Sequence, residues 1–159
     1  MGFFYRNNFL KILGVRCGNK SIRFALLEKN GDVISFLNAN TEHELKIPRT
    51  MTDENDQIVW VSGEVERILR QNTDISKVCI KTAEFGRSET KANRLIAYFD
   101  ALVILASMKS NKVINTKLYT QIGVKRLDVK VRAEQLVGRT DTAWNEQIAD
   151  AVCVAYSEF

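Results

Sequence analysis

Apolar and polar side chains alternate over residues 9–17 and again over 21–28, as in two paired strands. Lys29-Asn30-Gly31-Asp32 follows, and its Asn-Gly pair is the signal of a tight hairpin turn into a third strand, Val33 to Leu37. The N-terminal part therefore predicts an antiparallel meander of three strands. Residues 38–52 hold Pro48, His43 and several Thr and Asn, and read as a loop. A helix is expected from about Asp53 to Gln71, where Ile58, Val61, Val65, Ile68 and Leu69 recur at helical spacing. Asp53, Glu54 and Asp56 suit the positive end of its dipole. Lys77-Val78-Cys79-Ile80 has the short, apolar profile of a buried parallel strand. A long helix over about 89–109 buries Leu95, Ile96, Phe99, Leu102, Val103 and Ala106, and Val113-Ile114 is a second short strand. Helical pieces are expected at about 116–122 and 128–137. A last helix over about 142–158 would place Trp144, Ile148, Ala151, Val152 and Ala155 on one face.

Strands in an antiparallel group, followed by strands alternating with helices, predict an α/β fold: a mixed five-stranded sheet covered by helices. The 159 residues suit one domain, 1–159, with a sizeable core. No apolar run approaches the roughly 18–20 residues of a membrane span, so no membrane partner is expected. The opening MGFFYRNNFLKILG lacks a cleavable apolar core and the Ser or Thr of a myristoylation signal. Cys17, Cys79 and Cys153 are scattered and odd in number, against both a disulfide framework and a zinc knuckle. Buried, reduced thiols and a cytoplasmic setting are expected.

Charge is uneven along the chain. Residues 39–74 carry eight acids and four bases, whereas residues 109–139 carry eight bases and two acids. The second stretch could attract phosphates or simply form a solvated face. The same two readings apply to Lys125, Arg126, Lys130 and Arg132, with Tyr119 nearby. His43 has no base partner nearby, and Walker loops, nucleophile triads and CxxC pairs are absent.

The element order resembles the ribonuclease H-like fold, and in detail its RuvC-type Holliday-junction resolvase branch. The resemblance rests on Ile12-Leu-Gly-Val-Arg16-Cys-Gly18 and the apolar second strand. It also rests on Val78-Cys-Ile80 before the helix ANRLIAYFDALVILA, and on the closing Ile148-Ala-Asp150-Ala-Val-Cys-Val-Ala155. It spans roughly residues 10–158 at the level of pattern, and an uncharacterised family of small ribonuclease H-like proteins fits it as well. Nucleases of this family hold two divalent metals with carboxylates from the first strand, the fourth strand and the last helix, and the metals activate water against a phosphodiester. The resemblance places the first-strand aspartate at Arg16 and the strand-ending glutamate at Lys81. The first acid of the last helix falls at Gln147, and only its second acid is retained, as Asp150. Two cations at such positions would repel magnesium. A buried ion pair of Asp150 with Arg16 or Lys81 is the expected remnant.

Three functions are compatible with these residues. The leading one is a catalytically degenerate domain, a pseudoenzyme without a cofactor, that binds nucleic acid or another polyanion. Its anion-binding candidates are Arg16, Lys81, Arg87, Ser88 and Lys91, around a strand end and the start of the long helix. Arg94 lies in the same cluster, and a solvated helix start is the plainer account of it. The second is a magnesium- or manganese-dependent nuclease with a relocated acid cluster, Glu84, Glu146 and Asp150; the last two are spaced i, i+4 on one helix face. The third is a protein-interaction or scaffold module. A homodimer is a further expectation of the resemblance, because RuvC-type resolvases act as dimers.

Overall fold

The computed structural model describes residues 9–86 and 89–159. Its strands are β1 (Phe9–Cys17), β2 (Ser21–Asn30), β3 (Val33–Phe36), β4 (Glu44–Lys46), β5 (Lys77–Lys81) and β6 (Val113–Lys117). Its helices are α1 (Glu54–Gln71), α2 (Lys91–Lys109), α3 (Tyr119–Ile122), α4 (Val129–Val137) and α5 (Glu146–Tyr156), with a 3-10 turn at Arg126–Asp128 before α4. None of the described helices is long and apolar enough to cross a membrane.

The sheet runs β3-β2-β1-β5-β6, and β4 also pairs with β2. β1, β2 and β3 form the antiparallel meander, turning at Gly31 with φ 62°. β5 lies parallel to β1, and β6 parallel to β5. Among the described residues the sheet therefore has six strands rather than five. The additional one, β4, falls in the segment expected to be a loop. Its three residues are too few to display a period, and they are held by pairing with the start of β2, Ser21 opposite Lys46.

Side chains alternate across a strand, so β1 feeds two cores. Leu13, Val15 and Cys17 join Val78 and Ile80 beneath α1 and α2. Ile12 joins Ala25 and Leu27 beneath α4 and α5. Over Gly14 the second layer comes very close: a Cβ there would lie 1.9 Å from the Ala151 carbonyl oxygen. Gly14 and the alanines of α5 thus let the helix backbone settle directly on the strand, which brings Asp150 to the end of β1. The three cysteines are buried and unpaired, as their dispersed, apolar settings suggested.

Helix starts follow side-chain caps. Asp53 accepts from the Asp56 N–H and Thr90 from the Asn93 N–H, each satisfying a donor left free at a helix start. Asn145 accepts from the Ile148 N–H, so α5 begins at Glu146, four residues after the expected start. Trp144 consequently precedes the helix. Likewise β6 continues to Lys117, and the expected helix over 116–122 is confined to one turn closed by Gly123 in the left-handed region. His43 is buried beside β4, its Nδ1 2.8 Å from the Thr41 carbonyl oxygen.

Candidate functional site

Val15 and Ile80 are partners in the parallel pair of β1 and β5, so Arg16 and Lys81 stand side by side at the strand ends. Both project toward α5, in phase with Gly14 and Cys79. Arg16 Nε donates to Asp150 Oδ2 at 3.1 Å, and Arg16 Nη1 to the Lys81 carbonyl oxygen at 3.4 Å. Tyr119 Oη donates to the second carboxylate oxygen, Asp150 Oδ1, at 2.6 Å. Lys81 is fully buried; its ammonium donates to the Thr82 carbonyl oxygen and lies 3.2 Å from Glu84 Oε1. It also sits 3.8 Å from the centroid of the Tyr119 ring. Glu84 Oε1 in turn accepts the Tyr119 backbone N–H at 2.9 Å. Tyr119 therefore joins two ion pairs, Arg16–Asp150 and Lys81–Glu84, into one cluster.

The pKa shifts follow from burial and partners. Burial pushes the Asp150 carboxyl up, against the downward pull of the Tyr119 hydroxyl and the charges of Arg16 and Lys81. Lys81 is lowered by burial and then by Arg16, while Glu84 and Asp150 oppose that shift. Glu84 is lowered by the Tyr119 N–H and by Lys81. Burial, followed by the bond to Asp150, raises the Tyr119 hydroxyl. One more acid belongs to the neighbourhood. Asp100, on α2, feels Arg16 and Lys81 and lies beside Cys17, yet burial lifts it to about 6. Its Oδ1 is buried and makes no hydrogen bond among the described residues.

The other residues singled out in the sequence are dispersed. Gln147 faces the end of β1, where a Cβ on Gly18 would lie 3.1 Å from its Nε2. Glu146 accepts from Arg126 Nε at 2.7 Å, outside the buried cluster. Glu84, Glu146 and Asp150 thus each have a separate cationic partner. Among the described residues, no three His, Cys, Asp or Glu side chains gather closely enough to hold a metal ion. Lys91 is exposed at the first turn of α2, and Arg94 pairs with Glu89. Arg87 and Ser88 lie outside the described residues. Of the basic stripe, Lys125, Lys130 and Arg132 are exposed.

Sequence reasoning missed two members. In the sequence Tyr119 reads only as an aromatic near basic residues, whereas its hydroxyl binds Asp150. Asp100 carried a readable signal: it falls beside the apolar spacing Ile96, Phe99, Val103, where an acid is drawn toward the core, and it is half-buried.

RuvC of Thermus thermophilus in complex with a Holliday junction substrate superposes with a TM-score of 0.75 at 11% identity, covering 93% of this chain and 91% of that one. The fold is ribonuclease H-like, of the RuvC type. A second Thermus thermophilus RuvC structure gives 0.73 at 11% identity, over 93% and 92% of the two chains. The yeast mitochondrial Holliday junction resolvase gives 0.62 at 10% identity, over 93% and 77%. No family model and no curated protein sequence matches the chain. The RuvC-type likeness therefore lies in the backbone, with little of the sequence shared.

Proposed function

We propose that this chain is a catalytically degenerate RuvC-like domain that binds nucleic acid without cutting it. The observation that carries the reading is the Arg16–Asp150–Tyr119 arrangement, in which both oxygens of Asp150 already accept hydrogen bonds. A hard divalent cation needs several oxygen ligands, preferably anionic. Here it would meet two carboxylates already committed, Asp150 to Arg16 and Tyr119 and Glu84 to Lys81 and the Tyr119 N–H, and the charges of Arg16 and Lys81 oppose its entry. The residues at this place do not fit a resident magnesium or manganese ion, and no catalytic step is assigned to one.

The nucleic-acid half of the proposal draws on the fold shared with a RuvC solved on a Holliday junction. It draws also on exposed cations that an acidic backbone could reach: Lys91, Lys125, Lys130 and Arg132. Arg16 and Lys81 have a different part in this reading. Lys81 is sealed from solvent and Arg16 is tied to Asp150, so they hold the cluster together and do not grip phosphate.

The test incubates the protein with branched, single-stranded and hybrid nucleic acids, with and without magnesium or manganese, following binding and cleavage together. Retardation that weakens with salt and leaves the strands intact is the expected result. Metal-dependent cleavage abolished by Asp150→Asn would instead favour the relocated nuclease. Neither binding nor cleavage would leave the scaffold reading.

A further inference from the structure

We propose that Leu127 is an apolar wedge that enters the base stack of bound nucleic acid, held in register by Lys125, Lys130 and Arg132 on the backbone phosphates. This inference rests on the nucleic-acid reading above and assigns it a specific element. Leu127 is 94% exposed, the highest value among the large apolar side chains described. Val131, four residues on and so on the same helical face, is 59% exposed.

The segment that presents them is firmly anchored. The Asp128 N–H closes the 3-10 turn on the Lys125 carbonyl oxygen at 2.9 Å, and Arg126 Nε donates to Glu146 Oε1 of α5 at 2.7 Å. Val129, between the two exposed side chains, is fully buried in the core beneath α4 and α5. Leu127 therefore projects from a fixed turn, and that turn is tied to α5 one helical turn ahead of Asp150. Its surroundings are basic. Lys125, Lys130 and Arg132 are exposed, and none has an ion-pair partner among the described residues. Residues 109–139 hold only two acids. Glu134 faces Arg139 at 4.0 Å, which leaves Asp128 alone among three cations.

Size decides the occupant. A protein interface of standard size buries about 800 Å² on each side, and a membrane-surface helix lays down a whole apolar face. α4 has nine residues and turns Val129 and Ala133 inward, so Leu127 and Val131 are all that it offers outside. One protruding leucine flanked by cations matches instead the apolar side chains that part a base step while basic neighbours hold the phosphates. Pyrimidine–purine steps unstack most easily, so they are where such a wedge would enter.

The experiment follows binding of the full chain to a duplex carrying 2-aminopurine at a pyrimidine–purine step, whose fluorescence rises when the base unstacks, over a salt series. Leu127→Ser is compared with Val33→Ser, which removes another exposed apolar side chain on β3, and with Lys125→Gln/Lys130→Gln/Arg132→Gln. Urea unfolding confirms that each variant is folded. Binding of the unsubstituted protein and of Val33→Ser should raise the fluorescence. Leu127→Ser should abolish the rise at saturation and weaken binding about fivefold, with the salt slope kept. The triple variant should keep the rise at saturation and lose roughly two to three from the log–log salt slope. If the unsubstituted protein binds but Leu127→Ser keeps the rise, or the triple variant keeps its slope, the wedge is overturned and the broader nucleic-acid reading stands. Failure of the unsubstituted protein to bind the duplex would overturn both. Sedimentation with phosphatidylserine vesicles that Leu127→Ser abolishes, with no fluorescence rise on duplex, would assign the leucine to a lipid surface and overturn the wedge.

Discussion

Two buried carboxylates on the same side of the sheet have opposite fates. Glu158 accepts from Lys77 Nζ, Cys79 Sγ and Asn115 Nδ2, and pairs with Lys117 Nζ at 3.1 Å. Burial would raise it, but these donors hold it down at about 2. Asp150 receives only Arg16 and Tyr119, with its side chain 1% exposed, and burial wins: its pKa is raised. A carboxylate is held firmly ionised when donors outnumber what burial removes. At Asp150 they do not: the Tyr119 hydroxyl and the charges of Arg16 and Lys81 pull its pKa down less than burial raises it. That balance separates this cluster from a metal ligand set, where anionic oxygens stand in excess.

The largest effect should come from breaking the Asp150 side. Asp150→Ala leaves Arg16 facing Lys81 without a counter-charge, and loss of one partner of a buried pair costs about 3–5 kcal/mol. Urea unfolding should show a lowered midpoint at unchanged slope, with Asp150→Asn less affected because it keeps an acceptor for Tyr119. Glu158→Gln should cost less, about 2 kcal/mol, since several donors retain an amide oxygen to bind. The pH dependence sharpens the contrast. Glu158 lies at about 2 when folded against an ordinary 4.5, so its stabilisation is complete above pH 4.5 and fades as pH falls toward 2. Glu158→Gln should remove that acid limb.

Asp100 provides the smallest and opposite signal. At about 6 when folded against 3.8 ordinarily, it takes up a proton in the folded state before the unfolded chain does. Its contribution to stability thus increases as pH falls from 7 to 4. Asp100→Asn should flatten that rise and stabilise the protein at pH 7, read from thermal unfolding across the pH series.

Much of this architecture was legible in the sequence because its signals are local. The Asn30-Gly31 turn, the capped start of α1 and the apolar run Val78-Cys79-Ile80 each declare themselves within a few residues. A pairing of Asp150 with Arg16 or Lys81 was expected from the resemblance, which retains Asp150 where the family has an acid, and the partner is Arg16. What escaped depends on tertiary placement. β4 exists because β2 offers it an edge, and α5 starts late because Asn145 provides a cap that helical periodicity does not reveal. The hydroxyl of Tyr119 reaches Asp150 from a separate element, while Asp100, on α2, lies beside Cys17. Their sequence positions carry no mark of these contacts beyond one acid beside an apolar stripe.

The central proposal is that Asp150, committed to Arg16 and Tyr119 with Lys81 close by, holds no divalent metal. Calorimetric titration of manganese into the purified protein, alongside Asp150→Asn, addresses it most directly. The account predicts no saturable binding in either protein at low-millimolar manganese. Saturable manganese binding that disappears in Asp150→Asn would contradict it.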